Sequence, residues 1–335
     1  MNFLFSLAYN DSMLYGERKS GVIVERAGKL LELGAVHERG ILGAKVGIAL
    51  FDTGLAMTHP DFLRQGKVIA FKDFVYGKNG CYDDNGHGTH VAGIAGGTGA
   101  ASNKRFVGVA PDCHFIIVKI LDHQGNGSIE HVLKGIRWVI KNKMKYGIRV
   151  ANISIGTGKD ECLEEESELV QGVNELWDAG IVVCVAAGNN GPTPGSIGAP
   201  GNSRKVITVG ASDDKKEVVL NGKNLKNYSG RGPTRNCIKK PDLVAPGGNI
   251  ISCNGRFLVR SAGLFGTQGN YYIAKSGTSM ATPMVTGAVA LLLGKYPEMT
   301  NREVKIRLKN KAVDLNLPHT EQGWGLLNVK NLLNG

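Results

Sequence analysis

The chain has 335 residues, with 40 Lys+Arg against 29 Asp+Glu for a formal charge of +11, and 42% apolar and 21% charged residues. This balance excludes a disordered chain, and with no apolar run of about 18 residues the sequence excludes an ordinary transmembrane helix. Glycine is the outlier at 47 residues without a collagen period, so it marks tight turns and close backbone approaches.

Along the chain, the opening MNFLFSLAY has no Lys or Arg ahead of its short apolar stretch, and Asn10 and Asp11 follow it, which is not a secretory pattern. Short β-branched runs then read as strands: Lys45 to Phe51, His114 to Ile120, Val150 to Ile155, Ile181 to Ala186 and Val206 to Val209. Between them lie helical patterns. Ile129, Val132, Leu133, Ile136, Val139 and Ile140 share one face behind a capping Ser128, and a second helix spans Glu165 to Asp178 ahead of Gly180. Thr300 and Glu303 form a capping box that opens a helix to about Asn310. Strands buried on both faces and alternating with helices predict an α/β fold with a mostly parallel central sheet, whose sites lie at the carboxyl ends of the strands. With no repeat, low-complexity linker or break in composition, one domain is the economical reading.

Six cysteines, at 81, 113, 162, 184, 237 and 253, make no C-x-x-C pair or zinc spacing. Without an export signal they read as reduced thiols, and the expected location is the cytoplasm. The basic residues are scattered, as at Lys141 to Lys145, Lys239-Lys240 and Arg302 to Lys311, with no aromatic-rich basic motif. They read as a solvated surface, so neither a nucleic acid nor a membrane is expected as a partner.

Four junctions carry the chemistry. In VGIALFDTG an apolar strand ends in Asp52, where a carboxylate can orient a histidine, although Asp ends many strands. In DDNGHGTHVAGIAGG, His87 sits between two glycines at a helix start. His90 lies three residues on, but no H-E-x-x-H pattern or third ligand accompanies the pair, so no metal is read there. In SGTSMATPMVTGAVALLL, Ser279 opens an apolar helix. There it either caps the helix or acts as a nucleophile, with the first-turn N–H groups stabilising a developing anion. In VCVAAGNNGP a strand ends at Gly188-Asn189, and the Asn amide can donate to an oxyanion, which a capping serine does not need.

Taken together and in this order, DTG at 52, GHGTHVAG at 86, AAGN at 186 and GTSMATP at 277 resemble the subtilisin-like serine proteases (peptidase family S8). GVAP at 108, NISIG at 152, GRGP at 230 and DLVAPG at 242 agree as well, and the likeness runs from about Gly43 to Gly325. DDNGHGTH and GIVVCVAAGN are most similar to the AprX-type and intracellular branches.

The resemblance implies a three-layer subtilisin-like fold and a serine endopeptidase that acts on peptides or unfolded proteins. His87 would take the Ser279 proton, Asp52 would hold the imidazole, and Asn189 with the Ser279 N–H would hold the oxyanion, with Thr278 behind Asn189. Gly125, Asn126 and Gly127 look like the edge that pairs with an extended substrate, and Ser154, Ile155 and Gly156 like the opposing segment. Gly191 and Gly198 are read near the first pocket, leaving it open, and Ile129 and Ile155 as lining an apolar pocket beyond. A broad specificity with large apolar residues before the cleaved bond is expected, and Asp83, Asp84 and Asn85 would favour a basic neighbour or form a solvated loop.

Two departures from the family stand out. Residues 85 to 111 contain no Asp or Glu, so the calcium loop usual in secreted members is not expected. No cofactor is then required, and a weak calcium or sodium site is the one metal left open. Only 51 residues precede Asp52. The division read here is a short leader within residues 1–20, which restrains activity across the groove or packs on the body, and one peptidase domain over 21–335. Residues 254 to 274 have no role in this reading, and the oligomeric state is not read. The competing reading is a catalytically silent subtilisin-like binding or regulatory protein.

Overall fold

The computed structural model describes residues 4–6, 23–156, 167–220, 222–257, 259–260 and 268–334, with 4–6, 23–26, 259–260 and 268–269 described by their backbone. Seven strands form the central sheet: β1 (Gly47–Asp52), β2 (Val68–Asp73), β3 (His114–Lys119), β4 (Ile148–Ile153), β5 (Val182–Ala186), β6 (Ile207–Ala211) and β7 (Leu243–Ala245). Their order in space is β7-β6-β5-β4-β1-β3-β2, and every neighbouring pair is parallel. Five of these strands are the β-branched runs of the sequence. Two escape it for physical reasons: β2 is a half-exposed edge strand with no run of buried apolar residues, and β7 is only three residues long.

Four helices matter for the site: α1 (His87–Gly96), α2 (Ile129–Asn142), α3 (Glu168–Asp178) and α4 (Thr278–Lys295). α1 packs on α4 and α2 on α3, and both pairs lie on the sheet, which makes the three-layer α/β architecture. Ser128 caps α2 by accepting from the His131 N–H, and the predicted Thr300–Glu303 capping box is present in both directions. α4 is buried along nearly its whole length, as a helix with apolar and small residues on every side must be. The main core draws residues from Ala27 to Leu333. No described helix is long and apolar enough to cross a membrane.

The topology also locates the site. β2 and β3 lie on one side of β1 and β4 to β7 run outward on the other, so the winding changes direction at β1, where a crevice opens beyond the carboxyl ends. Asp52 ends β1, Ser154 follows β4, and Asn189 lies three residues beyond β5.

Candidate active site

Asp52 is fully buried at the end of β1, and its Oδ1 accepts from His87 Nδ1 at 2.7 Å and from the Thr53 N–H at 2.8 Å. Its Oδ2 is buried with no hydrogen-bond partner among the described residues. Because a carboxylate only accepts, the proton sits on Nδ1 and Nε2 keeps the basic lone pair.

The contact between Asp52 and His87 requires the start of α1 to lie almost on β1. Gly88 allows this, since a Cβ there would meet the Gly54 carbonyl at 2.2 Å and the Asp52 Cβ at 3.2 Å. The loop before His87 is tied down by Asp83. Its Oδ1 accepts from the Thr53 hydroxyl at 2.8 Å and from the Asn85 and Gly86 N–H groups at 3.1 and 2.7 Å. Its Oδ2 accepts from the Thr89 N–H and hydroxyl at 2.9 and 2.6 Å. Burial works against its charged form, but donors from Thr89, Gly86 and Thr53 outweigh it and hold the carboxyl below its ordinary 3.8. Asp84 is paired with Lys119 at 2.7 Å. Asp83 is thus committed inside the protein, and for it the expectation of favouring a basic substrate residue is corrected, while Asp84 is 28% exposed beside its bond to Lys119.

Ser279 stands in the first turn of α4, where backbone N–H groups lack intrahelical acceptors. Its hydroxyl donates to the Ser154 carbonyl at 3.2 Å, and no hydrogen bond joins it to His87 among the described residues. Gly277 before it has φ 135°, a turn that suits glycine and brings the helix start against Asn189. Asn189 Oδ1 accepts from the Thr278 N–H at 3.0 Å and hydroxyl at 3.1 Å, which turns its amide nitrogen away from them. The structure thus joins Asp52 to His87 and Asn189 to α4 through Thr278, while the Ser279 hydroxyl bonds the opposing segment.

The groove residues fall on two segments. Asn126–Ser128 forms a short strand that pairs antiparallel with Leu4–Ser6, in the register Leu4 to Ser128, Phe5 to Gly127 and Ser6 to Asn126. Gly125 turns the chain into it with φ 83°. Across from it, Ser154, Ile155 and Gly156 continue from β4. Ile155 is a core residue at 3% exposure and Ile129 is half-buried against that core. Among the described residues a Cβ at Gly156 would meet only the Gly188 Cα, at 3.9 Å, which leaves room between Gly156 and Gly188. Gly191 differs from its expected role. Its side-chain position is filled by the Ser229 and Asn227 carbonyls at 2.1 and 2.6 Å, so glycine there serves backbone packing and not an open pocket. Gly198 lies half-buried in the loop before the Asn202 N–H, which bonds its carbonyl at 3.2 Å.

Sequence reasoning did not assign the roles of Asp83, Lys119 and Asn152. A signal existed for the first two: Asp83, two residues before Asn85, fits an Asx-turn pattern, and Lys119 is a charge ending the buried run HFIIVK. The segment without carboxylates, 85 to 111, is instead served by Asp61, whose oxygens accept from Gly99 N, Ala101 N and the Tyr272 hydroxyl at 2.9, 3.1 and 2.8 Å. Asp61 lies with His59 and Cys253 in a buried cluster whose ligand atoms are within 4.8 Å of one another. Asp61 N donates to His59 Nδ1 and the Cys253 thiol to Asp61, so the atoms a metal would need are already bonded.

The profile of the Subtilase family matches residues 43–325. Among curated proteins, the chain is 38% identical to serine protease AprX of Bacillus subtilis (strain 168), over all of this chain and 77% of that protein. It is 35% identical to subtilisin Savinase of Lederbergia lenta over 88% of this chain and 93% of that protein. Among solved structures, the S41 psychrophilic protease superposes with a TM-score of 0.70 at 31% identity, covering 86% of this chain and 92% of that one. Sphericase gives 0.70 at 29% identity, with the same shares.

Proposed function

The chain belongs to the subtilase family and is a subtilisin-like serine endopeptidase acting on peptide or protein substrates, and from that premise we propose the division of labour in its site. His87 takes the Ser279 proton as the hydroxyl attacks the substrate carbonyl, then gives it to the leaving amine, and Asp52 holds the ring and favours its protonated form. The Asn189 amide and the Ser279 N–H receive the oxyanion. Hydrolysis of the acyl-enzyme on Ser279 completes the cycle. The observation that carries this reading is the 2.7 Å bond from His87 Nδ1 to buried Asp52. The reading requires the Ser279 hydroxyl to exchange the Ser154 carbonyl for the imidazole. A serine-phosphonylating reagent tests the reading: the adduct maps to Ser279, and Ser279→Ala loses both adduct and hydrolysis. An adduct elsewhere, or hydrolysis surviving Ser279→Ala, overturns it.

Large apolar residues before the cleaved bond belong to the same proposal, supported by the room between Gly156 and Gly188. Strict selection of Arg or Asp from a peptide library would sink it. The pairing of Leu4–Ser6 with Asn126–Ser128 supports a leader that occupies the substrate edge. Most of that leader (1–3 and 7–20) lies outside the described residues. Deleting residues 1–20 then raises the rate of freshly made enzyme, and an unchanged rate counts against restraint.

Activity without an added metal is proposed too, supported by the protein donors that take up Asp61. Excess chelator leaves melting unchanged on this reading. A reducing, cytoplasmic setting completes the proposal, supported by the free thiols Cys81, Cys113, Cys184, Cys237 and Cys253.

A further inference from the structure

Lys119 ends β3 beside Asp52 and is fully buried, which is costly for an ammonium unless every N–H is satisfied. All three are. Its Nζ donates to the Thr53 carbonyl at 2.7 Å, to Asp84 Oδ1 at 2.7 Å and to the Leu121 carbonyl at 2.8 Å. The rings of Tyr82 and Tyr76 lie over it at 5.1 and 5.6 Å. Its acceptors belong to three segments. Thr53 follows Asp52, Asp84 precedes His87 by three residues, and Leu121 opens the turn that carries Gly125 to Gly127.

We propose that Lys119 is a positioning residue whose three bonds set the gap between the strand end carrying Asp52 and the loop delivering His87, and so the rate of peptide-bond cleavage. The proposal rests on the reading of Asp52 and His87 as the proton-relay pair. The rival is that Lys119 merely neutralises Asp84. The two differ in which change restores function, because Asp84→Asn removes the stranded charge but not the loss of a tie between the Thr53 and Leu121 carbonyls.

The test compares Lys119→Met, Lys119→Arg and the double variant Lys119→Met with Asp84→Asn, each counted by titration of reactive Ser279. In Lys119→Met the kcat per titrated site falls on the order of 10- to 100-fold while KM stays within about threefold, as misplacement by a fraction of an ångström predicts. In the double variant the melting temperature recovers and kcat does not. Lys119→Arg keeps the charge, but its planar fork cannot reach three acceptors around one nitrogen, so its kcat stays low. If Lys119→Met does not fold, the double variant carries the comparison. A kcat within about twofold of the parent in any of the three, or recovered with the melting temperature, overturns the proposal. Full activity in His87→Ala would instead sink the relay reading on which it rests.

Discussion

Ser154 and Ser279 are bonded twice: the Ser279 hydroxyl donates to the Ser154 carbonyl at 3.2 Å, and the Ser154 hydroxyl donates back to the Ser279 carbonyl at 3.3 Å. The second bond exists because of Pro283. Four residues beyond Ser279 in α4, it has no N–H to offer that carbonyl. Pro283 therefore lies past the first turn, and Ser154 supplies the donor the helix lacks. The chain of bonds continues from Asn152 Nδ2 to Ser154 Oγ at 2.9 Å and from Thr286 Oγ1 to Asn152 Oδ1 at 2.8 Å, pinning α4 to β4.

This coupling predicts a double-mutant cycle. Ser154→Ala costs about 1–2 kcal/mol of stability, since it strands the Ser279 carbonyl. In a Pro283→Ala background the restored helical N–H takes that carbonyl and the cost shrinks below about 0.5 kcal/mol. Urea unfolding of the four chains measures it, and additive costs would refute the coupling.

Thr278 gives a second expectation. Thr278→Val keeps the backbone N–H to Asn189 Oδ1 and removes only the 3.1 Å hydroxyl bond. One net hydrogen bond of ~1 kcal/mol predicts a roughly fivefold fall in kcat with little change in KM. Asn189→Ala removes the donor itself and lowers kcat further. Equal losses in both variants would mean that Thr278 does not act through Asn189.

Stability should fall on the acid side because of His90. Burial, with Lys275 and His87 close by, holds this imidazole well below its ordinary 6.5. Burial likewise lowers His59, against the Tyr271 carbonyl and Asp61. The unfolded chain binds these protons near 6.5 and the folded chain only at lower pH. Over that interval the unfolded state carries more protons, so this contribution is full above pH 6.5 and is lost as the pH drops below it. His90→Gln retains a donor for the Ile250 and Ile273 carbonyls and removes the titration. The slope of unfolding free energy below pH 6.5 should then ease by up to ~1.4 kcal/mol per pH unit. An unchanged slope would exclude His90 as its source.

Asp83→Asn is the sharpest test of the loop before His87. An amide there presents its own N–H groups to donors from Thr53, Asn85, Gly86 and Thr89. A loss of roughly 3 kcal/mol or more is expected, together with a lower kcat as His87 loses its anchor. Near-parental melting and turnover would show that the loop is held elsewhere.

The chain's local chemistry was enough to read five sheet strands, the caps at Ser128 and Thr300, and the four motifs whose likeness names the family. Each of these depends on residues adjacent in sequence, where β-branched runs, capping pairs and glycine-flanked histidine or serine have local causes. What depends on distant backbone was not legible. Gly191 and Gly156 look alike as letters, yet one side-chain position is filled by carbonyls of residues 227 and 229 while the other meets only the Gly188 Cα among the described residues. Asp83 and Asp84 looked like free carboxylates until Thr53 and Lys119, dozens of residues away, were seen to occupy them. Residue type states what a side chain is able to do, but folding decides which partners have already claimed it.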